Sequence, residues 1–408
     1  MNCRHCQSPL HLSLVDLGSS PPSNAYLTEP ALHRPEAWFP LRVLLCQHCW
    51  LAQTEDFADA DQLFCADYSY FSSFSVTWLN HCQRYVNDMI GRFSLHSQSL
   101  VVEVAANDGY LLQFVQRAQI PCLGIEPTAG TAAAARAKGL NIVEDFFSAR
   151  LAEDLARRGQ QADLMVAKNV LAHVPHINDF VAGFRLLLKE HGVATFEFPH
   201  LLKLLQECQF DTIYHEHFSY LSLAAVGQIL ESNGLRVFDV EQVPTHGGSL
   251  RVFAQLTQTG THPSTASVAE VMNEEAEAGL LSAAGYADFQ ARTDRIKNNF
   301  VHFLIEANND GKSVAAYGAA AKGNTLLNYA GIRSDLLAFV VDRNPSKQGK
   351  FMPGSRIPIV AEEHLQQRKP DYVVILPWNL KEEVVAQLSY VRSWGGKFVT
   401  AIPELSLV

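Results

Sequence analysis

The sequence predicts an α/β protein with two doubly wound sheets and a small N-terminal region. Three observations lead to this fold class: strand-like and helical segments alternate through the middle of the chain, a second alternating series follows near the C-terminus, and two Cys-x-x-Cys pairs lie near the N-terminus. Strands that alternate with helices indicate parallel sheets joined by crossover helices. With 408 residues the chain can form two or three domains, each with its own core.

The composition is that of an ordinary globular protein, with 48% hydrophobic and 18% charged side chains. A formal charge of −10 and the absence of a basic run argue against nucleic acid as a partner. The N-terminal residues lack a basic-then-apolar targeting pattern, and no apolar stretch reaches the roughly 18 residues that span a bilayer. We therefore expect a cytoplasmic protein without a membrane partner.

The small N-terminal region, residues 1–65, contains a Pro-rich segment, a short strand at residues 39–45 and too few apolar residues for a large core. A bound metal would compensate for the small core. The two Cys-x-x-Cys pairs can supply four thiolates tetrahedrally to one Zn²⁺ ion, and these four residues are Cys3, Cys6, Cys46 and Cys49. Four thiolates leave no open coordination position, so the zinc is expected to be structural.

Redox activity and histidine ligation are weaker interpretations of the Cys pairs. A redox pair is expected to start a helix in a thioredoxin-like unit, and these pairs instead bracket a Pro-rich segment. His5 and His48 lie inside the pairs, where they are expected at the surface rather than among the ligands. The isolated cysteines are interpreted as packing residues rather than disulfides, and they are Cys65, Cys82, Cys122 and Cys208.

An aromatic helical segment at residues 66–92 links the N-terminal region to the central α/β unit. In that unit a late antiparallel strand is expected to follow a series of parallel strands and crossover helices. The predicted strands are residues 100–105, 122–126, 163–168, 193–198 and 250–256, and the predicted helices are residues 129–138, 177–189 and much of 266–309.

A second, smaller doubly wound sheet is predicted from a boundary near residue 310 to the C-terminus. Its four candidate strands are residues 313–317, 336–341, 371–376 and 397–402. The chain is thus predicted to have three domains, at residues 1–65, 66–309 and 310–408.

The first strand of the central unit ends in small and polar residues, namely Ala105, Asn107, Asp108 and Gly109, before a helix begins. Small residues let the backbone approach a ligand, and a helix N-terminus directs its N–H groups at that ligand. Glu126 ends the next strand, where a carboxylate can accept both hydroxyls of a ribose. The pattern favours a ligand of the adenosine type over a dinucleotide, because the G-x-G-x-x-G fingerprint is absent.

The run from residue 212 to residue 218 places Tyr214, His215, Glu216 and His217 next to one another. Imidazole titrates near neutral pH, a carboxylate can fix its tautomer, and a phenol can donate to a developing oxyanion. The run is therefore predicted to transfer protons. In an extended segment His215 would point away from Glu216, while Tyr214 and Glu216 would share a face.

A structural role and a metal-binding role also remain open for this run. The polar side chains can satisfy one another at the edge of a core, or the two His residues and the Glu can form half of a metal site. The metal site is disfavoured because no further acid-rich cluster accompanies the run.

The strand-end residues resemble the first two motifs of class I S-adenosylmethionine-dependent methyltransferases. The resemblance implies that acidic and small residues hold the methionine end of the cofactor and that residues 145 and 146 border its adenine. The implied cofactor-binding residues are Glu103, Ala105, Asn107, Asp108, Gly109, Glu126, Pro127, Asp145, Phe146 and Asn169. Many of these enzymes have Gly at the position of Ala105, so the space beside the cofactor is slightly narrower here.

Eight ordered motifs, with the two Cys-x-x-Cys pairs counted as one, resemble the nucleotide-sugar C-methyltransferases over essentially the whole chain. This family installs methyl branches on keto-deoxysugars. The motifs are the two Cys-x-x-Cys pairs and residues 106–112 (ANDGYLL), 124–127 (GIEP), 213–218 (IYHEHF), 245–251 (THGGSLR), 317–323 (YGAAAKG), 342–345 (DRNP) and 376–379 (LPWN). The resemblance implies an N-terminal zinc-binding domain, a central methyltransferase domain with a helical lid, and a C-terminal Rossmann-like domain that helps to hold the nucleotide sugar.

The resemblance also implies a reaction, methylation at C-3 of a 4-keto-6-deoxysugar. Removal of the C-3 proton gives an enolate, which attacks the methyl group of S-adenosylmethionine. The family's Tyr-x-Glu-His motif implies that His217 is the base, with Tyr214 as donor to the ketone oxygen and Glu216 in support of the imidazole. Tyr70 resembles a further tyrosine that reaches the sugar from the lid, and His173, after the fourth strand, is a rival base.

The late hairpin and the C-terminal unit are expected to bind the substrate. The turn at residues 318–323 can present N–H groups and a lysine to phosphate, although a plain strand-to-helix turn accounts for the same residues. The predicted substrate-binding residues are His173, His246, Arg251, Lys322, Arg343 and Trp378.

The sequence leaves two further function classes open. A nucleotide-sugar oxidoreductase or epimerase would use the C-terminal unit, but residues 318–323 only weakly approximate a dinucleotide fingerprint. A zinc-ribbon adaptor without enzymatic activity would leave the proton-transfer run without a purpose. The expected substrate is a nucleotide-diphosphate-linked keto-deoxysugar, the expected cofactors are S-adenosylmethionine and structural Zn²⁺, and the expected assembly is a monomer or weak dimer.

Overall fold

A four-stranded antiparallel sheet forms the N-terminal part of the computed structural model, which describes residues 1–57 and 71–408. Its strands, in spatial order, are β1 (Leu12–Ser20), β2 (Phe39–Leu45), β3 (Ala52–Thr54) and β9 (Ser219–Tyr220). Leu41, Val43 and Leu45 alternate along β2 and are buried, as one face of a half-buried strand requires. Because β9 belongs to the central part of the chain, it fixes the residues just before it to the N-terminal sheet.

The central sheet has seven strands. They are β4 (Val101–Val104), β5 (Cys122–Ile125), β6 (Ile142–Val143), β7 (Ala162–Lys168), β8 (Leu188–Pro199), β10 (Leu235–Val243) and β11 (Ser249–Leu256). Their spatial order is β10-β11-β8-β7-β4-β5-β6. The five neighbouring strands β6, β5, β4, β7 and β8 are parallel. The strand β11 runs antiparallel to both of its neighbours, β8 and β10.

Nine helices belong to this central part within the described residues. They are α1 (Val76–Arg92), α2 (Leu112–Arg117), α3 (Ala129–Ala137), α4 (Ala149–Arg157), α5 (Ile177–Leu187), α6 (Leu201–Gln206), α7 (Leu223–Ser232), α8 (Ala266–Glu277) and α9 (Phe289–Asn309). The Ser75 hydroxyl caps α1 by accepting from the Trp78 N–H, and the helix buries residues at spacings of three and four, namely Cys82, Tyr85, Val86 and Met89. The helix α1 packs on the central sheet, where the Tyr85 hydroxyl hydrogen-bonds Thr195 Oγ1 of β8 (2.6 Å).

The C-terminal sheet has six strands, which are β12 (Val314–Tyr317), β13 (Val340–Val341), β14 (Ile359–Val360), β15 (Tyr372–Ile375), β16 (Lys397–Thr400) and β17 (Ser406–Leu407). Their order is β14-β13-β12-β15-β16-β17, and only the last pair is antiparallel. The accompanying helices are α10 (Ala321–Tyr329), α11 (Glu363–Arg368) and α12 (Lys381–Gln387). Alternate residues of β12 and β15 pack on opposite faces of the sheet, so both faces are covered by core.

The fold class predicted from the sequence is confirmed, and most predicted strands lie within a residue or two of the observed ones. The strand at residues 39–45 has the predicted bounds, whereas the strand predicted at residues 336–341 is only Val340–Val341. Of the longer strands, β1 and β10 were not predicted from the sequence. Both are edge strands with polar residues on their open side, so neither has the continuous apolar run of a central strand. Within the described ranges, no helix is both long and apolar enough to cross a membrane.

Candidate active site

The proton-transfer run lies in a turn between the 3₁₀ helix Phe210–Thr212 and β9. The His217 N–H donates to the Tyr214 carbonyl (2.9 Å), which closes the turn. The expected alternation of faces required an extended segment, so that expectation was wrong. Two threonines from other domains hold the turn, because Thr54 Oγ1 of β3 donates to the His217 carbonyl (3.0 Å) and Thr325 Oγ1 of α10 donates to the Ile213 carbonyl (2.7 Å).

The His217 imidazole is buried, with 9% of the residue exposed, and its tautomer is fixed by the backbone. Its Nδ1–H donates to the Thr212 carbonyl (2.8 Å), which leaves Nε2 as the basic nitrogen. The ring of Tyr214 lies 4.0 Å from that of His217. Burial lowers the pKa of His217 well below the ordinary histidine value, and the charges of His173 and Lys322 lower it further. The imidazole is therefore neutral at physiological pH, as a base must be.

His173, the rival base, lies in the same site. Its Nδ1–H donates to the Glu216 carbonyl (2.7 Å), and its ring meets that of His217 edge to face at 4.6 Å. Burial lowers the pKa of His173 to about 4, although the Glu216 carbonyl opposes the shift. The structure therefore brings both candidate bases together as neutral imidazoles.

The Glu216 carboxyl is directed at the N-terminal domain. Asn24 Nδ2 donates to both of its oxygens at 2.8 Å, whereas the Thr212 carbonyl takes the orienting position beside His217 that was expected for Glu216. Burial raises the pKa of Glu216 to about 7, against the hydrogen bonds from Asn24. His215 leaves the site altogether, because its Nε2 donates to the Pro40 carbonyl (3.1 Å) and its ring packs on Phe39.

His246 ties the hairpin turn after β10 to the end of β7. Asn169 Nδ2 donates to His246 Nε2 (2.9 Å), and the Trp78 ring of α1 meets the imidazole edge to face at 5.2 Å. Burial lowers the pKa of His246 to about 4, and the charge of Lys322 acts in the same direction. Both Asn169 (φ 52°) and His246 (φ 56°) have left-handed backbone, which is common where a strained loop carries function.

Lys322 and Trp378 bring the C-terminal domain to this cluster. Lys322 Nζ lies 4.4 Å from the Trp378 ring centre and donates to Asn379 Oδ1 (2.9 Å). Trp378 Nε1 donates to Asp211 Oδ2 (2.8 Å), and burial raises the pKa of Asp211 to about 6, against the charge of Lys322. A Cβ on Gly247 (φ 91°) would lie 2.5 Å from the Trp378 ring, so glycine is required there by packing as well as by backbone conformation.

The two arginines predicted to bind substrate are placed differently. Arg251 is buried, and its guanidinium donates to Glu197 Oε2 (3.0 Å) and Glu241 Oε2 (2.7 Å). Arg343 is exposed and donates to Gln387 Oε1 (3.2 Å), away from the imidazoles. The guanidinium of Arg251 is therefore already paired with protein carboxylates, whereas Arg343 lies at the exposed edge of the C-terminal domain.

A buried ion cluster beside the site was not predicted from the sequence. Glu197 of β8 accepts from His81 Nε2 (2.7 Å), from Arg251, and from the buried ammonium of Lys168. Burial alone would raise the pKa of Glu197, but Lys168, His81 and Arg251 outweigh it and lower the pKa. Because His81 lies on α1, the cluster fastens this helix to the carboxyl end of the sheet. A charged residue inside an otherwise apolar strand, in the run Ala194-Thr195-Phe196-Glu197-Phe198, was the available signal.

Polar atoms without partners mark the cleft at the carboxyl ends of β4 and β7. Glu103 is fully buried, and burial raises its pKa well above the ordinary value, although the Tyr110 hydroxyl beside it acts in the opposite direction. Within residues 1–57 and 71–408, neither Glu103 oxygen has a hydrogen-bond partner of good geometry, nor do Asp108 Oδ1 and Asn169 Oδ1. A buried carboxyl and two further acceptors fit the ammonium of a methionine moiety, because buried polar groups are normally paired.

Backbone strain is concentrated in the same cleft. Ala105 (φ 59°) and Asn107 (φ 47°) follow β4 in the left-handed region, where the Cβ of Ala105 is unfavourable. In contrast, Gly109 (φ 77°) is required by packing, since a Cβ there would lie 2.2 Å from the Leu140 side chain.

Glu126 organises the loops around the predicted ribose position. Its Oε2 accepts from the Asn107 N–H (2.9 Å), and its Oε1 accepts from the Thr128 N–H (3.0 Å) and from Thr131 Oγ1 (2.9 Å). Asp145 and Phe146 follow the edge strand β6 and are exposed, with 43% of Phe146 accessible. The ring of Phe146 is thus available for stacking, and the contacts to ribose and adenine stay predictions.

The four predicted zinc ligands form one cluster. The Sγ atoms of Cys3, Cys6, Cys46 and Cys49 all lie within 4.8 Å of one another, with pairs at 3.5 Å and 3.4 Å. Tetrahedral Zn²⁺ at a Zn–S distance of about 2.3 Å would separate its sulfurs by about 3.8 Å, so the donor set fits. His5 Nδ1 is engaged by Asn178 Oδ1 (2.8 Å) and His48 is exposed, so neither belongs to the cluster. Tyr70 and Cys65 lie outside the described residues.

Three family models match successive parts of the chain. The model described as "Putative zinc binding domain" matches residues 3–64, "Methyltransferase domain" matches residues 78–240, and "C-methyltransferase C-terminal domain" matches residues 244–403. The chain is 35% identical to the C-methyltransferase NovU of Streptomyces niveus over 402 residues, which cover 98% of this chain and 95% of the relative.

Solved structures give weaker, partial similarities. A S-adenosylmethionine-dependent methyltransferase from Clostridium acetobutylicum is 12% identical with a TM-score of 0.36, covering 45% of this chain and 92% of that chain. The magnesium protoporphyrin IX methyltransferase ChlM from Synechocystis, solved with bound S-adenosylmethionine, is 16% identical with a TM-score of 0.33, covering 44% of this chain and 80% of that chain.

Proposed function

The chain belongs to the C-methyltransferase family, and we propose that it transfers the methyl group of S-adenosylmethionine to a carbon next to the ketone of a nucleotide-linked 4-keto-6-deoxysugar. The family resemblance and the enzyme class expected from the sequence are confirmed by the near full-length match. The sugar, its nucleotide and the acceptor carbon belong to the proposal. C-3 is taken as the acceptor carbon, in keeping with the family resemblance.

The observation that carries the proposal is the position of His217. Its Nδ1–H is held by the Thr212 carbonyl, its pKa is lowered by burial, and its basic Nε2 belongs to a ring that packs on Tyr214. A neutral, oriented imidazole is suited to removing a weakly acidic proton from a carbon next to a ketone. The C–H electron pair then becomes the enolate, and the proton stays on His217 Nε2.

Two groups are proposed to stabilise the charge on the ketone oxygen. The Tyr214 phenol lies against the base and can donate a hydrogen bond, and the Lys322 ammonium supplies a positive charge that already acts on His217 and His246. The Lys322 ammonium is preorganised, since it is held by Asn379 and the Trp378 ring. Preorganised charge costs little reorganisation during the reaction.

The cleft beside β4 and β7 is proposed to hold the methyl donor. S-Adenosylmethionine supplies an electrophilic methyl group when it is bound. Glu103 and Asn169 would hold its methionine end, because each presents a buried acceptor without a partner among the described residues. The link from Asn169 to His246 places this end of the cleft beside the imidazoles.

The nucleotide diphosphate is proposed to lie toward Lys322, Lys347 and Arg343 of the C-terminal domain. Lys347 Nζ donates to the Ala319 carbonyl (2.7 Å), at the turn that contains Lys322. Cations on both sides of this turn favour a phosphate-bearing substrate. Structural Zn²⁺ in the Cys cluster is proposed to keep the N-terminal sheet, and with it Thr54, in place behind His217.

The oxidoreductase alternative receives less support from the same turn. Asp342 ends β13, where a dinucleotide-binding domain places its ribose-binding acid, but its Oδ2 accepts from the Ala319 N–H (2.8 Å) and its Oδ1 from the Asn344 N–H (2.8 Å). The Tyr26 hydroxyl donates to the Ala319 carbonyl (2.6 Å). Backbone donors therefore occupy the acid that would bind the ribose of a dinucleotide.

The experiment is an incubation of the protein with S-adenosylmethionine and a panel of nucleotide-linked 4-keto-6-deoxysugars, followed by mass spectrometry and NMR of the product. The proposal expects a gain of one CH₂ on carbon, at C-3. A product methylated at C-5, the other carbon next to the ketone, would correct the position. Cofactor binding without transfer to any member of the panel would contradict the proposed substrate class.

A further inference from the structure

Asn24 lies in the loop between β1 and β2, on the N-terminal domain, yet it contacts the active-site turn. We propose that Asn24 is a positioning residue that holds the Glu216 carboxylate in place and in its ionised form. The N-terminal domain then completes the active site instead of serving only as a structural module. The role of Glu216 in methyl transfer rests on the proposed function, but its contact with Asn24 does not.

The Asn24 side-chain amide donates to both oxygens of the Glu216 carboxyl group. Asn24 Nδ2 lies 2.8 Å from Oε1 and 2.8 Å from Oε2 of Glu216, and only 2% of Glu216 is exposed. An ionised carboxylate is purely an acceptor, so an amide shared between both oxygens stabilises that form. A buried charge without such a donor would be costly.

The Asn24 side chain is itself held from two domains. The Tyr26 hydroxyl lies 3.4 Å from Asn24 Oδ1 and donates to the Ala319 carbonyl (2.6 Å) of the C-terminal domain. The preceding Pro21 and Pro22 restrict the backbone of the loop, and the Ser23 carbonyl accepts from Asn324 of α10. The amide therefore reaches Glu216 from a fixed position.

The groups around Glu216 define what its ionisation depends on. Burial raises the pKa of Glu216 to about 7, while the side chain and backbone of Asn24 lower it, and so does the charge of Lys347. The titratable neighbours are Tyr26 on the Asn24 loop, His173, which donates to the Glu216 carbonyl, and His217, the next residue in the chain. The charged neighbour of Glu216 is Lys347, whose Nζ donates to the Ala319 carbonyl.

Glu216 directly precedes His217, so its ionised form adds a negative charge to the turn that carries the base. A base that takes a proton becomes an imidazolium, and a neighbouring carboxylate stabilises that charge. Asn24 does not touch the reacting atoms in this account, because it acts through Glu216. Its loss should therefore change the ionisation of Glu216, which loss of a merely structural contact would not do.

The test is a ¹³C NMR titration of the full-length, zinc-loaded protein labelled at the glutamate carboxyl carbon, with the Glu216 signal assigned by its loss in Glu216→Gln. In Asn24→Ala the pKa of Glu216 should rise by about one unit, since a hydrogen bond to a charged group is worth about 1.5 kcal/mol or more. The matched control Asn298→Ala, at an exposed position of α9, should leave it unchanged. An unchanged titration in Asn24→Ala would overturn the proposal.

Asn24→Asp keeps the size of the side chain, removes the donor and adds a like charge, so it should raise the pKa of Glu216 further. Zinc content and the melting temperature show whether each variant folds. If Asn24→Ala does not fold, the titration of Asn24→Asp tests the proposal instead. The titration needs no substrate, so a wild-type protein that methylates no keto-sugar would count against the proposed function alone. With an active wild type, the acid limb of kcat/KM should move to higher pH in Asn24→Ala, and a uniform loss at all pH values would contradict the positioning role.

Discussion

The imidazoles of His217 and His173 meet edge to face at 4.6 Å, and Nδ1 of each ring donates to a backbone carbonyl of the same short stretch of chain, Thr212 for His217 and Glu216 for His173. The same tautomer is thus imposed on both rings. Burial lowers the pKa of both rings, and a charge on His173 would lower the pKa of His217 further. A pair of this kind can take up one proton and share its charge with the surroundings.

The first prediction concerns the base. His217→Ala should lower kcat by about 10²- to 10⁴-fold, the usual contribution of a general base. Binding of S-adenosylmethionine, measured by calorimetry, should stay within a few-fold of wild type. His173→Ala is the informative companion, because a larger loss in this variant than in His217→Ala would assign the base to His173.

The second prediction concerns pH. The active form of His217 is neutral, and its pKa is lowered, so protonation of this imidazole should slow the reaction only below the ordinary histidine range. Lys322→Met removes a positive charge that lowers this pKa, so the acid limb of kcat/KM should move to higher pH and the maximum rate should fall. Lys397→Met, at an exposed position on β16, is the matched control. An acid limb at the same pH in Lys322→Met and wild type would contradict the electrostatic role of Lys322.

The third prediction concerns zinc. The wild-type protein should contain one Zn²⁺ per chain, and Cys46→Ser should lose the metal and loosen the N-terminal sheet. Activity should fall as well, because β3 carries Thr54, which donates to the His217 carbonyl. Metal analysis and the kinetic assay on the same preparation measure both effects. Full activity in a zinc-free preparation would remove the N-terminal domain from the catalytic account.

The fourth prediction concerns Glu103. If its buried carboxyl holds the cofactor's ammonium, Glu103→Gln should weaken S-adenosylmethionine binding by about tenfold or more, since hydrogen bonds to charged groups are worth about 1.5–3 kcal/mol. The same substitution should not lower the melting temperature of the ligand-free protein, because it removes a buried ionisable group that lacks a partner among the described residues. Calorimetry and thermal unfolding give the two values. Unchanged affinity would move the methionine end elsewhere.

The fifth prediction concerns backbone strain. Ala105 has φ 59°, where a residue with a Cβ is disfavoured by about 1–2 kcal/mol. Ala105→Gly should raise the free energy of unfolding by up to about 1 kcal/mol after the entropy cost of glycine, about 0.5–1 kcal/mol, is subtracted. Urea denaturation measures the difference. A clear loss of stability would show that the Ala105 methyl group contributes packing that outweighs the strain.

The sequence predicted those parts of the site that depend on local pattern. The Cys pairs predicted one cluster because each pair forms its own tight turn, and the strand-end residues predicted the cleft because parallel strands bring their carboxyl ends to one edge. The run around His217 was recognised from its residue types. These features need no knowledge of which distant segments come together.

Contacts between domains were beyond the reach of the sequence. Asn24 and Thr54 reach the active-site turn because β3 pairs with β9, a register between strands far apart in the chain. Lys168 was overlooked because it ends an apolar strand and its partner Glu197 lies on another. The orienting contact of His217 was not predicted either, because it is made by the Thr212 carbonyl, and a backbone carbonyl in a turn has no signature in the residue types.

The most direct test of the account is proton removal by His217 before methyl transfer. A nucleotide-linked 4-keto-6-deoxysugar deuterated at C-3 is incubated with the wild-type protein and S-adenosylmethionine, and the product is analysed by mass spectrometry. We expect a product that has gained the methyl group and lost the deuterium, at a rate reduced about 10²-fold or more in His217→Ala. A methylated product that keeps the deuterium, or a His217→Ala variant as fast as wild type, would contradict it.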